Sequence, residues 1–199
     1  MAASEILSKI ATHQIKGIMF HAQMADYFDF LNLRGFKRLH EYQYMSESAE
    51  YRKTCRFCIN HCYKLCKIGQ TDDPHIIPDR WYSARRSEVD TNTKRRAVIE
   101  AFEQYVLWEQ NTLQLYEQCY SELVAEGKIA IADYVKNLIA DVADELKHAS
   151  RLRMELANTD GDIIHVYDLQ GAMHEDYKQK TRVVGLMLSC QRRLNVLYL

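Results

Sequence analysis

Both prolines of this chain, Pro74 and Pro78, stand four positions apart, and the long stretches on either side are free of the residue that most disfavours helix. Proline removes a backbone donor and clashes with the preceding turn, and glycine weakens a helix interior by about 1 kcal/mol. Only 7 glycines occur in 199 residues. The prolines therefore mark one irregular connection, 68–93, between two halves that are each free to be helical. Each half carries a break near its middle. The first half reads as helices over 4–30 and 36–67. The second reads as 93–125 and 129–158, divided by the turn Glu126-Gly127-Lys128 and stopped at 158–162. A tail, 163–199, reads as one or two further helices and ends in the apolar Val196-Leu197-Tyr198-Leu199.

Short loops force neighbouring helices to be antiparallel, so the pattern predicts an all-α antiparallel four-helix bundle with one long crossover between the second and third helices. Periodicity agrees. Phe102, Tyr105, Leu113, Tyr116, Tyr120 and Leu123 recur at helical steps in the third helix, and Ile131, Tyr134, Leu138, Val142, Ala149 and Leu152 do so in the fourth. Residues 1–162 are expected to form the bundle. Residues 163–199 are expected to be a C-terminal helical extension, packed on the bundle or on a neighbouring subunit.

Composition excludes several function classes. Hydrophobic residues make up 47% and charged residues 27%, the balance of a globular protein, and the formal net charge is -1. Nucleic acid is not an expected partner: the basic group Arg85, Arg86, Lys94, Arg95 and Arg96 is short and reads as a solvated loop and helix start. No apolar run approaches a membrane span, and residues 1–18 mix charge, His and apolar residues unlike a signal peptide. A cytoplasmic location follows as the expectation, with the six cysteines reduced.

The informative residues are acids on apolar stripes. Glu109 stands between Tyr105 and Leu113, and Glu145 between Val142 and Ala149, with His148 three positions on. Residues at i and i+3 share a helix side. A buried, unpaired carboxylate is costly, so it is protonated, paired or bound to metal. A Glu on one helix beside Glu-x-x-His on the next is half of a carboxylate-bridged dimetal site. Hard oxygens bridge two cations, and imidazole serves as a neutral terminal ligand. In the second helix Phe36, Leu39, Gln43, Glu47, Glu50, Thr54, Phe57, His61 and Leu65 share one face, so both acids lie inward. The first helix has no inward Glu; its candidates are Gln14 and His21, seven residues apart. Tyr116 follows Glu109 by the same step and could hydrogen-bond the carboxylate or donate an electron.

Phe20 to Asp29, Gly35 to Leu39 and Ser46 to Arg52 resemble the first two helices of ferritins and bacterioferritins, and Trp108 to Leu152 resembles their last two. The resemblance implies a ferritin-like fold. It makes Glu47, Glu109, Glu145 and His148 ligands, puts Glu50 where the family has His, and puts Gln14 where the first helix supplies Glu. A shifted alignment makes Glu50 the bridging acid and sets Lys53 at the His position. It further implies iron, as one or two ions, with Mn or Zn as substitutes, and a homo-oligomer.

Cys55, Cys58, Cys62 and Cys66 form a stripe at spacings of three, four and four. On one straight helix their sulfurs would lie about 5–6 Å apart along the axis, too far for one ion to take all four. Small buried core residues are the expectation, with a metal or redox role as the alternative; Cys119 and Cys190 read as core packing. His61 reads as a core histidine, and His13, His40, His75, His165 and His174 form no constellation.

Three functions compete. In the first, a di-iron carboxylate centre binds and oxidises iron, with Tyr116 steadying Glu109. In the second, the same ligands serve an oxygenase or oxidase acting on an organic substrate. In the third, the bundle serves assembly or binding and its metal site is vestigial.

Overall fold

A computed structural model describes residues 2–71, 77–78 and 80–196, with side chains at 82–83 and beyond 180 excepted; Pro74, His75, the Cys190 and Val196 side chains and the terminal residues 197–199 fall outside what is described. Among those described, the chain is all-helical. Five long helices run α1 (Ala3–Phe30), α2 (Arg34–Cys62), α4 (Thr91–Ala125), α5 (Ile129–Asn158) and α6 (Ile163–Val196), and the crossover contains the short α3 (Arg80–Ser83) and a 3-10 turn (Arg86–Glu88). No helix of the described residues is long and apolar enough to cross a membrane.

Each long helix forms because its apolar residues fall at helical steps. In α1 the buried stripe is Ile6, Leu7, Ile10, Gln14, Gly17, His21, Met24 and Phe28. Asn32 ends α1 in the left-handed region (φ 58), and the Leu33 N–H then returns to the Phe28 carbonyl at 2.9 Å. Asn tolerates that conformation, and the 6→1 bond satisfies an orphaned carbonyl. At the α4–α5 turn the Lys128 N–H reaches the Leu123 carbonyl at 2.9 Å in the same way. Asp90 caps α4 by accepting from the Thr93 N–H at 2.7 Å, so the helix begins slightly earlier than periodicity alone predicts.

The end of α2 departs from expectation. The helix stops at Cys62 rather than continuing to Lys67, because Tyr63 is left-handed (φ 53) while its N–H still bonds the Ile59 carbonyl at 3.1 Å. That conformation costs a non-glycine residue about 1–2 kcal/mol. Beyond it the Lys67 N–H donates to Ser8 Oγ at 3.0 Å and the Gly69 N–H to Thr12 Oγ1 at 2.9 Å. Net gains of about 1 kcal/mol per hydrogen bond offset the strain.

Helix α1 packs on α2, α4 on α5, α1 on α4, and α6 lies along α2. The α2–α6 approach is close: a Cβ on Gly35 would fall 1.7 Å from the Gln170 carbonyl oxygen, and the Gly35 N–H donates to Gln170 Oε1 at 2.8 Å. The basic residues near the start of α4 staple turns to the bundle. Arg95 donates to the Asp160 carboxylate at 2.6 Å, and Lys94 to the Tyr167 hydroxyl at 2.9 Å.

The apolar core is divided. One cluster gathers Phe20, Phe28, Phe36, Leu39, Phe102, Tyr105, Leu152 and Val166 at one end; the other gathers Ile6, Leu7, Ile10, Cys58, Tyr116, Cys119, Val135 and Leu138 at the opposite end. Between them the buried face of the bundle turns polar, with Gln14, His21, Gln43, Glu47, Thr54, Glu109 and Thr112 all shielded from solvent.

Candidate metal centre

The polar layer exists because four helices carry their inward polar residues at the same height. Helix α1 contributes Gln14, Gly17 and His21, α2 contributes His40, Gln43, Glu47, Glu50 and Thr54, α4 contributes Glu109 and Thr112, and α5 contributes Glu145. Glu109 is 1% exposed and Glu47 8%, while Glu50 and Glu145 are half-buried.

These four carboxyl groups repel one another. Burial raises the Glu109 carboxyl well above its ordinary range, and Glu145, Glu47 and Glu50 add to the effect. Glu47 is raised by burial, then by Glu50 and Glu145. Glu145 is pushed up to about 8 by burial and then by Glu50, with Gln43 acting the other way. Glu50 is pushed up to about 7 by burial and Asp141, against the pull of Lys53. Both oxygens of Glu109 and one of Glu47 are buried without a hydrogen-bond partner. Native interiors rarely leave such atoms unmatched.

Nitrogen donors border the acids. His21 Nε2 lies 3.8 Å from Glu109 Oε1, and His21 Nδ1 lies 3.0 Å from His40 Nδ1, so one of the two rings carries its proton there. Burial lowers His21 to about 3 and His40 well below its ordinary value, with His21 adding to the latter. Both rings are therefore neutral at pH 7, the form that ligates metal. Gln43 Nε2 donates to the Tyr105 hydroxyl at 2.9 Å. His13 Nε2 meets Thr112 Oγ1 at 2.8 Å, and its ring stacks on Trp108 with centroids 4.7 Å apart.

Among the residues singled out from sequence, Glu47, Glu50, Glu109, Glu145 and His21 meet in this layer. Tyr116 sits at its lower edge, its hydroxyl pushed up by burial and then by Glu47 and Glu50, with the Gln14 amide beside it. His148 lies toward α6: its Nε2 is 2.9 Å from the Tyr177 hydroxyl, and its charged neighbours are Arg151, Lys180 and Asp176. Gln43 is inward by sequence but no candidate ligand, His40 and His13 read from sequence as forming no constellation, and Gly17 carries no sequence signal of a site. His40 follows Phe36 by four and precedes Gln43 by three, a spacing that places it on the inward face. Gly17 sits midway between Gln14 and His21 on an inward stripe, where a missing side chain signals space for a neighbour.

Among the described residues, no three His, Cys, Asp or Glu side chains are already drawn round one point. The layer is a set of mutually repelling carboxyls with free oxygens beside a neutral imidazole. That donor set fits hard or borderline divalent cations, whose charge would reverse the repulsion.

Solved structures with the same architecture include an open-pore ferritin from the hyperthermophilic archaeon Archaeoglobus fulgidus, matched at TM-score 0.71 and 19% identity over 86% of this chain and 95% of that one. The fold is ferritin-like. A second structure of the open-pore ferritin superimposes at TM-score 0.71 with 20% identity, covering 87% of this chain and 98% of that one. A closed form of the same ferritin, engineered by site-directed mutagenesis, matches at 0.70 and 18%, covering 87% and 96%. At this identity the likeness establishes the ferritin-like bundle and leaves the chemistry to the side chains. No protein-family model and no curated protein matches the sequence.

Proposed function

We propose that this ferritin-like bundle binds iron as its substrate in the polar layer and oxidises it there. The observation that carries the reading is the set Glu47, Glu50, Glu109 and Glu145, four carboxyls on three helices that raise one another's proton affinity while Glu109 and Glu47 keep unpartnered oxygens. Without a cation this arrangement opposes folding; with one it becomes attraction.

In this reading Glu47, Glu109 and Glu145 hold up to two ferrous ions, Glu50 adds a fourth carboxylate and His21 a neutral nitrogen. Ion binding displaces the protons that crowding keeps on the carboxyls. Each ferrous ion gives up one electron, and dioxygen takes both electrons with two protons to leave hydrogen peroxide. Tyr116 and Gln14 close the layer below, and Gln43 ties Tyr105 to its upper side. His148 stays with Tyr177, outside the ligand set. The ferritin-like fold supports a homo-oligomer, and exposed apolar side chains such as Tyr63, Leu65 and Ile129 give it contact surface.

Anaerobic titration of the metal-free chain with Fe(II), followed by air, tests the reading. Binding of one to two ions per chain and oxidation that fails in Glu109→Gln are expected. A wild-type chain with no Fe(II) binding above that variant would refute it. One cavity, about 510 Å³, is lined by Ser8, Lys9, Thr12, His13, Lys67 and others along α1.

A further inference from the structure

The cavity of about 510 Å³ beside α1 is bordered by Lys9, Thr12, His13, Lys16, Lys67 and Leu115. One wall is the segment that follows α2. The Lys67 N–H donates to Ser8 Oγ at 3.0 Å and the Gly69 N–H to Thr12 Oγ1 at 2.9 Å. Each hydroxyl in turn donates to a carbonyl of α1, Ser8 to Ser4 at 2.6 Å and Thr12 to Ser8 at 2.8 Å. The wall is therefore in place before any ligand arrives.

His13 is held as firmly. Its ring stacks on Trp108 with centroids 4.7 Å apart and planes 3° from parallel, and its Nε2 meets Thr112 Oγ1 at 2.8 Å. The Thr112 hydroxyl gives its own proton to the Trp108 carbonyl at 2.9 Å, so it accepts from the His13 Nε2–H. Nδ1 is then the lone-pair acceptor of the ring. Burial, and then Lys16, lower the imidazole to about 4, so it is neutral at pH 7. Lys9 and Lys16 are half-buried and Lys67 is exposed. Among the described residues, none of these three lysines takes part in an ion pair. The one acid among the described lining residues, Glu5, accepts from the Ala2 N–H at 2.9 Å.

We propose that this cavity binds a small organic anion, a molecule with an acidic group for the lysines, a flat apolar body and a hydrogen-bond donor for His13 Nδ1. Three ammonium groups against one carboxylate attract anions and repel ferrous ions, so the cavity is no route for metal to the acidic layer. Lys9 and Lys16 stand two turns apart on α1, about 10 Å along its axis, and bracket an anion seated over Thr12 and His13. Lys67 adds a third charge from the opposite wall. Leu115 and the methylene stems of the lysines cover the apolar body. The volume falls within the range of about 300–1,000 Å³ that small-molecule sites occupy. None of these residues belongs to the carboxyl set, so the site stands or falls apart from the iron reading.

Anilinonaphthalene sulfonate carries all three features, and phenylnaphthylamine has the same rings and N–H without the charge. Fluorescence titration of the full, metal-free chain at pH 7 with each dye tests the site, while circular dichroism reports helix content. One sulfonate dye per chain is expected, with the neutral dye bound at least tenfold more weakly. Replacing both Lys9→Gln and Lys16→Gln should weaken the sulfonate at least tenfold and leave the neutral dye unchanged. Leu115→Trp, which fills the cavity, should abolish sulfonate binding with the helices intact. No binding of the sulfonate by the wild type, equal affinity for the two dyes, or full-strength sulfonate binding in either folded variant would overturn the proposal.

Discussion

The carboxyl group of Glu47 occupies the space that a side chain at position 17 would need: a Cβ built on Gly17 lies 3.0 Å from the Glu47 carboxyl carbon and 3.1 and 3.3 Å from its oxygens. A glycine in the middle of a 28-residue helix is locally unfavourable. Its place between Gln14 and His21 leaves a slot through which an acid from α2 enters the layer.

Gly17→Ala should therefore separate binding from stability. Alanine improves helix propensity by about 1 kcal/mol, and crowding a packed site costs about 1–3 kcal/mol. The melting temperature should fall by no more than a few degrees. The displaced carboxyl should lower Fe(II) affinity about tenfold, a change of about 1.4 kcal/mol. Calorimetric titration beside a thermal melt reads both; unchanged affinity would remove Glu47 from the ligand set.

Glu109→Gln should stabilise the metal-free chain and disable it. The substitution keeps shape and removes the cost of holding protonated a carboxyl whose ionised form burial and three other acids oppose. A gain of about 1–2 kcal/mol without metal is expected, together with loss of iron-induced stabilisation. Denaturant unfolding with and without Fe(II) under anaerobic conditions supplies the comparison. A metal-free variant less stable than wild type would mean that Glu109 already has a compensating partner.

Two sets of groups shape the pH dependence of the metal-free chain in opposite senses. Glu50 and Glu145 have folded-state values raised to about 7 and about 8 from 4.5, so the folded chain holds protons that the unfolded chain has lost. Their contribution to stability therefore falls as pH rises from 4.5 to 8. His13 and His21 are lowered to about 4 and about 3 from 6.5, so the unfolded chain binds the extra protons, and stability falls as pH drops from 6.5 toward 3. Only the acids act between pH 6.5 and 8, where the melting temperature should decline by several degrees. Glu145→Gln should flatten that limb. Fe(II) binding, which displaces the same protons, should strengthen over the same interval. A flat melting temperature from pH 6.5 to 8 in the metal-free wild type would contradict the mutual repulsion of these carboxyls.

Gly35→Ala should loosen α6 from α2. The added methyl would sit 1.7 Å from the Gln170 carbonyl oxygen, and backbone cannot yield as a flexible side-chain tip can. The helices must move apart, breaking the Gly35–Gln170 bond and exposing Val166, Met173 and Tyr177 from the upper cluster. A loss of about 3 kcal/mol or more is expected, with faster proteolysis in 163–180. Wild-type resistance to protease would show that α6 is held by other contacts.

Helical periodicity carries much of this protein in its sequence. The bundle helices, the short turns and the long crossover follow from apolar spacing and the position of the prolines. The inward acids were legible for the same reason, since Glu109 and Glu145 interrupt stripes whose phase is unambiguous. For His148, the spacing from Glu145 says which side it shares and not what covers that side. Helix α6 supplies Tyr177 there, a contact 29 residues away in sequence. His40 reads from sequence as part of no constellation, because a lone histidine on an inward stripe gains meaning only from His21 across the hairpin.

The cysteines show the same division most sharply. Their spacing is a property of the chain, and on a continuous helix it scatters four sulfurs along one edge. Where that edge ends depends on where the helix stops. That was settled by the left-handed Tyr63, and the chain beyond it is held to α1 by the Ser8 and Thr12 hydroxyls, which accept from the Lys67 and Gly69 N–H groups. Local pattern fixes which face a side chain occupies, because helix geometry repeats every few residues. Distant contacts decide what it meets there, because no periodicity encodes the partner, the end of a helix or the space left by a missing Cβ.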